Sequence, residues 1–265
     1  MTSTNDPANT PDAPPVVNLG IEDCKRNAAN AAVREHFPAS ASYVGIGSGT
    51  TIEYVVKAIL ALNLPNINQI AFVPTGYQSR KLIHESGLRD IKFDSLPSGA
   101  LIDVAFDGAD EVDEDLNCIK GEEHACIRRN WWLRRQRSSP KLREGQMAKA
   151  GPLKTDQDNF IIDAPFPTLL LHSDIIRAEA EGEVQRGEGE GGVWEVVRLA
   201  LSVKALEGVL SVGIFSGLNG LQAARVGDGT GGQKPIAAYF GMADGSVVVR
   251  GVGSNGNVMT QVSQT

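Results

Sequence analysis

Apolar and polar residues alternate along the N-terminal half of the chain with two different periods. In residues 21–36, alanine and valine recur at helical spacing among charged residues, which predicts an amphipathic helix. Two further helices are expected at Ile52–Leu62 and Ser79–Ser86. Short apolar runs predict four strands, at Ser42–Ile46, Gln69–Pro74, Ile91–Phe93 and Leu101–Phe106. Because strands and helices alternate, this half predicts a parallel sheet with right-handed crossovers.

The second half of the chain shows a different order of elements. It predicts a smaller α+β unit made of a strand, a helix and a strand, at Asn159–Ala164, Gly192–Ala205 and Val209–Phe215. Residues 178–192 are rich in glutamate and glycine, so they are expected to form a surface insertion. The glycine-rich end of the chain predicts turns that alternate with apolar strands, at Ile236–Phe240 and Ser246–Val249.

These patterns predict an α/β protein of two domains. The larger domain, residues 21–139 with 216–265, is a Rossmann-like parallel sheet to which the C-terminal strands return. The smaller domain is the α+β unit at residues 146–215. Residues 1–20 are rich in serine, threonine, asparagine and proline and contain no lysine or arginine, so they predict a disordered leader that is neither a secretory signal nor a transit peptide.

Composition excludes several classes of function. With 265 residues and 42% hydrophobic content, the chain can bury a substantial core. No run reaches the roughly 18 consecutive apolar residues that would indicate a transmembrane helix. Cys24, Cys118 and Cys126 lie far apart without metal-ligand spacing, which favours a reduced, cytosolic protein. The net charge of −7 argues against general affinity for nucleic acid.

A glycine-rich turn, GIGSGTT at residues 45–51, follows the first predicted strand. Glycines let the backbone approach a ligand closely, and the helix that follows offers free N–H groups to a phosphate. Side chains of Ser48, Thr50 and Thr51 add hydroxyl donors. The turn is neither a Walker loop nor a dinucleotide fingerprint. A tight corner without a ligand is the alternative interpretation.

An acidic segment, DGADEVD at residues 107–113, follows the fourth predicted strand. Carboxylates at the carboxyl end of a parallel strand lie where open α/β sheets bind ligands. A solvated turn or a helix cap is the alternative, and a calcium loop is disfavoured because Gly108 and Val112 interrupt the alternation of ligands. Lys120 and Gly121 come next, and a lysine here could neutralise an enediolate or a phosphate, or could simply be solvated.

In this order the motifs resemble one family. The segments GIGSGTT, VPTGYQSR, DGADEVD and IKG, followed by MAKAGPLKTDQDNFIID and GVLSVGIF, are typical of type A ribose-5-phosphate isomerases, and the resemblance covers most of residues 21–260. It implies that ribose 5-phosphate and ribulose 5-phosphate interconvert through an enediolate, without a metal or other cofactor. The resemblance also implies a ferredoxin-like smaller domain, which is incomplete here.

The resemblance implies roles for individual residues. The substrate and its phosphate would be held by Ser48, Gly49, Thr50 and Thr51. The sugar would be contacted from the acidic segment and the lysine, by Asp107, Gly108, Ala109, Asp110, Lys120 and Gly121. Among these, the catalytic candidates are Asp107, Asp110 and Lys120. We expect a cytoplasmic homo-oligomer that binds a small sugar phosphate and neither nucleic acid nor membrane.

The chain departs from the family's pattern after Lys120. There the pattern continues with three glycines and an alanine, and its catalytic glutamate falls nine residues after the lysine. In this chain that position holds Arg129, which stays protonated and cannot act as the base. Residues 128–137 hold five arginines and two adjacent tryptophans, so a patch for nucleic acid or an anionic membrane surface is one alternative.

A shifted reading frame explains this segment better. If one base is lost near codon 121, the neighbouring frame of Asn130-Trp131-Trp132 forces Leu-Val. The codons before it permit Gly-Gly-Gly-Ala-Cys-Leu-(Tyr/His)-Gln-Glu-Lys, which is the family's motif with glutamate at position 129. We therefore predict that this copy is inactive as an isomerase, and a non-catalytic sugar-phosphate-binding protein is the alternative function.

A gap follows the shifted segment. The chain passes from Ser139 into residues 145–151, where the family has a further strand, a substrate lysine and the start of the smaller domain. The missing elements should leave apolar faces exposed, and the burial lost, at about 25 cal/mol per Å², readily exceeds a marginal net stability. The sequence therefore predicts poor solubility or partial unfolding.

Overall fold

Three parallel strands and their helices form the N-terminal part of the computed structural model, which describes residues 18–120, 140–145, 151–155, 158–227 and 232–263. The strands are β1 (Tyr43–Ile46), β2 (Ala71–Pro74) and β3 (Val104–Phe106). The helices are α1 (Ile21–His36), α2 (Thr50–Ala61) and α3 (Tyr77–Glu85). The order in the sheet is β2-β1-β3, and β1 pairs in parallel with both neighbours, as the sequence predicts.

The remaining elements follow along the chain. The middle of the chain holds β4 (Glu111–Val112), β5 (Cys118–Ile119), β6 (Lys141–Leu142), β7 (Ile162–Asp163), α4 (His172–Ala180) and α5 (Val196–Lys204). The C-terminal part holds β8 (Ile214–Phe215), α6 (Gly220–Val226), β9 (Ala237–Gly241), β10 (Val247–Val252) and β11 (Val258–Ser263). No helix among these described segments is long and apolar enough to cross a membrane.

The main core lies between the parallel sheet and the helices α1 and α2. Its fully buried side chains include Val33, Val44, Ile46, Val56, Ile59 and Phe72. A glycine in the central strand lets β3 approach closely, because a Cβ on Gly45 would lie 2.8 Å from the Cβ of its neighbour Ala105. The loops that follow β1 and β3 therefore leave the sheet side by side.

One prediction for the N-terminal half is wrong in detail. Residues Ile91–Phe93 do not form a strand, since Asp90 makes one isolated bridge with Phe72 and a 3₁₀ turn then begins at Phe93. The segment leaves the sheet there and leads toward Pro97, which has no N–H to donate to a ladder. Leu19, within the predicted leader of residues 1–20, donates its N–H to the Ala243 carbonyl at 2.7 Å, and the disorder of the leader stays a prediction. Residues 1–17 lie outside the described residues.

The C-terminal strands form an antiparallel sheet of their own, in the order β11-β10-β9. The prediction that they return to the parallel sheet is wrong for the described residues, because these strands pair with each other, and β9 and β10 pack against α1. The contact is close: a Cβ on Gly241 would lie 1.9 Å from the carbonyl oxygen of Cys24. This sheet is thus anchored to the helix that precedes β1.

A third sheet links distant parts of the sequence. Its order is β4-β5-β8, and all pairs are antiparallel. In it Cys118 pairs with Phe215, and the N–H of Lys120 donates to the Gly213 carbonyl at 3.0 Å. The strand β8 is part of residues 209–215, which were predicted as a strand of the smaller domain. It pairs with β5, which follows the acidic segment of the larger domain. The division into domains at residues 215 and 216 stays a prediction.

The described part of the smaller unit has a two-stranded sheet, β6 with β7, and the helices α4 and α5. The predicted strand and helix are present but shorter, and α4, which overlaps the start of the predicted insertion, was not predicted. Apolar side chains on and beside this two-stranded sheet are exposed to solvent: Leu142 is 46% exposed, Phe160 59% and Ile162 61%. This surface gives the predicted poor solubility a physical basis.

Candidate active site

The glycine-rich turn between β1 and α2 is held by backbone hydrogen bonds. Gly49 has a φ of +105°, a conformation that residues with a Cβ rarely adopt. Three successive N–H groups donate to protein acceptors: Gly47 to the Phe106 carbonyl (2.8 Å), Ser48 to Asp107 Oδ1 (3.1 Å) and Gly49 to Gln78 Oε1 (3.2 Å). The turn is therefore fixed on one side to the end of β3 and the residue after it, and on the other side to the start of α3.

Asp107 and Lys120 form an ion pair beside this turn. The Lys120 Nζ lies 3.0 Å from Asp107 Oδ1, and the two side chains are 22% and 29% exposed. The Gly108 N–H donates to the same carboxylate oxygen at 2.9 Å. Burial raises the pKa of Asp107, and the positive charge and hydrogen bond of Lys120 oppose this rise. A carboxylate and a cation thus lie where the ends of two parallel strands meet.

Gly47 provides the space for this carboxylate. A Cβ at position 47 would lie 1.7 Å from Asp107 Oδ1 and 2.0 Å from its Cγ. No side chain can therefore stand at position 47 while Asp107 keeps its place. The requirement is for close approach, since Gly47, unlike Gly49, does not have a positive φ.

The structure brings together some of the residues that the sequence singled out. Ser48, Asp107, Gly108 and Lys120 are in contact, and Thr50 and Thr51 begin α2 directly after the turn. Asp110 lies just before β4 and donates its N–H to the Ile119 carbonyl at 2.8 Å, while Ala109 is exposed in the connecting loop. Gly121 and Arg129 lie outside the described residues.

Lys25 reaches the site from α1 and was missed by the sequence analysis. Its Nζ lies 2.8 Å from the Thr50 hydroxyl and 2.7 Å from Glu22 Oε1. The Tyr54 hydroxyl donates to the other oxygen of Glu22 at 2.8 Å, so the lysine is held in place by a chain of side chains. In the sequence Lys25 is one of several charged residues of an amphipathic helix, and no spacing sets it apart.

Cys118 lies close to the acidic segment, and its thiol is buried. Burial raises the pKa of its thiol to about 12, and the negative charges of Asp107 and Asp113 act in the same direction. The thiol is therefore protonated at neutral pH, and only a thiolate would be a nucleophile. Its position in β5 makes it a packing residue.

Arg250 of β10 fastens the acidic segment to the C-terminal sheet. Its Nη1 donates to the Asp113 carbonyl at 2.5 Å, and its guanidinium lies 5.6 Å from the centroid of the Phe240 ring. Asp113 in turn accepts hydrogen bonds from the backbone and side chain of Asn117, both at 2.8 Å. The turn that joins β4 to β5, and so leads to Lys120, depends on this contact.

Changing Arg250 to methionine is expected to lower the free energy of unfolding by about 1.5–3 kcal/mol, because a carbonyl then loses a charged donor. Urea denaturation followed by circular dichroism measures the change. The matched control is Arg225→Met on α6, where the arginine is exposed and the change should stay within about 0.5 kcal/mol. Equal denaturation midpoints for the two variants would contradict this role of Arg250.

Comparison with known proteins points to one family. A family model described as ribose 5-phosphate isomerase A (phosphoriboisomerase A) matches residues 71–131. The chain is 33% identical to a ribose-5-phosphate isomerase of Schizosaccharomyces pombe over 275 residues, which covers 87% of this chain and 84% of the relative. It is 35% identical to one of Mycosarcoma maydis over 278 residues, with 87% and 82% covered.

Solved structures of the same name share the fold. A D-ribose-5-phosphate isomerase in complex with phospho-erythronic acid aligns with a TM-score of 0.58 at 22% identity, covering 93% of this chain and all of the other. The enzyme from Plasmodium falciparum aligns with a TM-score of 0.55 at 17% identity, covering 92% and 100%. The predicted α/β class, a Rossmann-like sheet with a second, smaller unit, is confirmed, while the ferredoxin-like character of that unit stays a prediction.

Proposed function

The chain belongs to the type A ribose-5-phosphate isomerases, and we propose that its site binds a five-carbon sugar phosphate for the interconversion of ribose 5-phosphate and ribulose 5-phosphate. One observation carries the proposal: the Asp107–Lys120 ion pair lies directly beside the glycine-rich turn that opens α2. A charged pair for the sugar and a helix N-terminus for the phosphate are thus a short distance apart.

The phosphate would lie at the start of α2. The first N–H groups of a helix have no partner within it, and the helix dipole favours an anion there. The hydroxyls of Thr50 and Thr51 and the Lys25 ammonium, 2.8 Å from the Thr50 hydroxyl, would complete its coordination. Phosphate would replace Thr50 as a partner of Lys25, because the ammonium is attracted more strongly by an anion than by a neutral hydroxyl.

The sugar would extend from there toward Asp107 and Lys120. Isomerisation moves a proton between C2 and C1 while negative charge develops on the enediolate oxygens. Lys120, fixed 3.0 Å from Asp107 Oδ1, would stabilise that charge, and Asp107 would accept hydrogen bonds from sugar hydroxyls and assist ring opening. Asp110, at the start of β4, would bind a further hydroxyl.

The proton transfer itself needs a base, and position 129 of this chain is an arginine. Turnover by the chain as written should therefore be lost while the contacts of Ser48, Asp107 and Lys120 remain. A non-catalytic sugar-phosphate-binding protein is the second candidate for this reason. We place the protein in the cytoplasm as a homo-oligomer. It is not expected to bind nucleic acid, because its net charge is −7.

Calorimetric titration with phospho-erythronic acid tests the proposed site independently of turnover. The chain should bind this sugar phosphate acid, and Lys25→Met should weaken binding about ten- to hundredfold, since hydrogen bonds to charged groups contribute about 1.5–3 kcal/mol. The control variant is Lys92→Met, in which an exposed lysine away from the turn is changed. Absence of binding by a sample that melts cooperatively would sink the proposal.

A further inference from the structure

We propose that Gln78 is a phosphate-responsive positioning residue: its amide holds the Gly49 N–H in the empty site and releases it to the incoming phosphate. The inference rests on the proposed function and adds a residue from a helix not yet assigned to the site. It starts from the hydrogen bond between Gly49 N and Gln78 Oε1, which is 3.2 Å long.

The N–H groups of Gly47, Ser48 and Gly49 have three different acceptors, and these differ in how easily they can move away from the turn. The acceptor for Gly47 is the backbone carbonyl of Phe106, which belongs to a strand of the sheet. Ser48 donates to Asp107, whose carboxylate is held by Lys120 and by the Gly108 N–H. Gln78 is a neutral side chain that can rotate without disturbing any strand. Of these three N–H groups, that of Gly49 is the one available for exchange.

The surroundings leave room for the exchange. Gln78 is the second residue of α3, so it approaches the turn from the β2 side, opposite the Asp107 carboxylate. A Cβ on Gly49 would meet no heavy atom within 4 Å. A cavity of about 190 Å³ between the turn, α2 and α3 is lined by Gln78 and Gly49 among others. The amide therefore has room to turn away from the Gly49 N–H, beside a space that a ligand could enter.

The chemistry of an amide suits both states of the site. Its oxygen accepts from Gly49 when no anion is present, and its NH₂ group can donate to a phosphate oxygen after rotation about the last side-chain torsion. A carboxylate of the same size could only accept, so it would hold the Gly49 N–H more firmly and repel the phosphate. Glutamine at this position thus favours a phosphorylated ligand where glutamate would oppose it.

The test compares three variants of the full chain in titrations with phospho-erythronic acid and with inorganic phosphate. Gln78→Glu is expected to weaken both affinities about tenfold or more through charge repulsion. Gln78→Met, which removes both hydrogen-bonding groups without adding charge, should weaken them about two- to tenfold. The control is Gln69→Glu, which adds the same charge to an exposed residue at the opposite end of β2. It should leave both affinities within about twofold of the starting protein.

The outcomes separate this proposal from the proposed function. A starting chain that binds neither compound sinks the proposed function. A chain that binds both, with Gln78→Glu unchanged or with Gln69→Glu equally weakened, overturns the role of Gln78 alone. Thermal melts by circular dichroism establish that each variant is folded. If Gln78→Glu does not fold, Gln78→Met decides, and unchanged affinity for phosphate in that variant overturns the proposal.

Discussion

Replacing residues 121–133 by Gly-Gly-Gly-Ala-Cys-Leu-Tyr-Gln-Glu-Lys-Leu-Val-Ala is expected to raise the rate of ribulose 5-phosphate formation about 10²–10⁴-fold over the chain as written. The replacement is the string permitted by the neighbouring reading frame, and it puts glutamate at position 129 in place of Arg129. Glutamate can take up and return a proton near neutral pH, whereas arginine keeps its own proton. A general base of this kind supplies the proton shuttle that Asp107 and Lys120 alone do not provide.

The matched control carries the same replacement with glutamine at position 129. Both replaced chains share the gap that follows Ser139, so their difference in turnover isolates the carboxylate. The rate should fall back to the level of the chain as written in the glutamine version. The prediction would be refuted if the chain as written turned over substrate and lost that activity when some other acidic residue was changed. The frame-shift hypothesis would end if a peptide of cellular protein had the mass of residues 121–139 as written.

Gly47→Ala is expected to weaken the binding of phospho-erythronic acid about a hundredfold. The added Cβ would lie 1.7 Å from Asp107 Oδ1, so the carboxylate must rotate away. That rotation breaks its contacts with Lys120, the Ser48 N–H and the Gly108 N–H, and overpacking of a close contact costs about 1–3 kcal/mol. Calorimetric titration measures the affinity, and circular dichroism shows whether the variant is folded.

The control for this substitution is Gly251→Ala in β10. A Cβ at position 251 would meet its nearest neighbours, in Ala237 and Ile236, at 3.7 Å, which is ordinary van der Waals contact. This variant should therefore bind the sugar phosphate acid as the starting chain does. Equal affinities of the Gly47→Ala and Gly251→Ala variants would show that Asp107 does not need its present position for binding.

The sequence predicts best what depends on local pattern. The helix at residues 21–36 has the predicted bounds because its apolar spacing is regular and helical. The helix α4 at His172–Ala180 was missed because its end is continuous with a glutamate- and glycine-rich stretch that reads as a loop. The Ile91–Phe93 strand failed because two apolar residues, Ile91 and Phe93, on either side of Lys92 do not ensure a partner strand.

In the candidate site, too, the sequence identifies residues that belong to a local motif and misses residues that do not. Ser48, Asp107 and Lys120 were identifiable because each stands in or beside a motif at the end of a strand. Lys25 and Arg250 were not, because their importance comes from contacts between elements that lie far apart in sequence. Gln78 stands in the VPTGYQSR segment after β2, but that segment alone assigned no role to its side chain. No periodicity in α1 or β10 distinguishes Lys25 or Arg250 from other polar residues on the same elements.

The pairing of β5 with β8 has a consequence for how a nascent chain acquires this site. The glycine-rich turn and Asp107 belong to a sheet whose strands are all synthesised by residue 106, so this part can form early. Lys120 follows β5, and its N–H needs Gly213 as a partner, which leaves the ribosome much later. Pairing of such distant segments is slow to nucleate. A polypeptide released before that point would carry the glycine-rich turn and Asp107 without Lys120 fixed beside them.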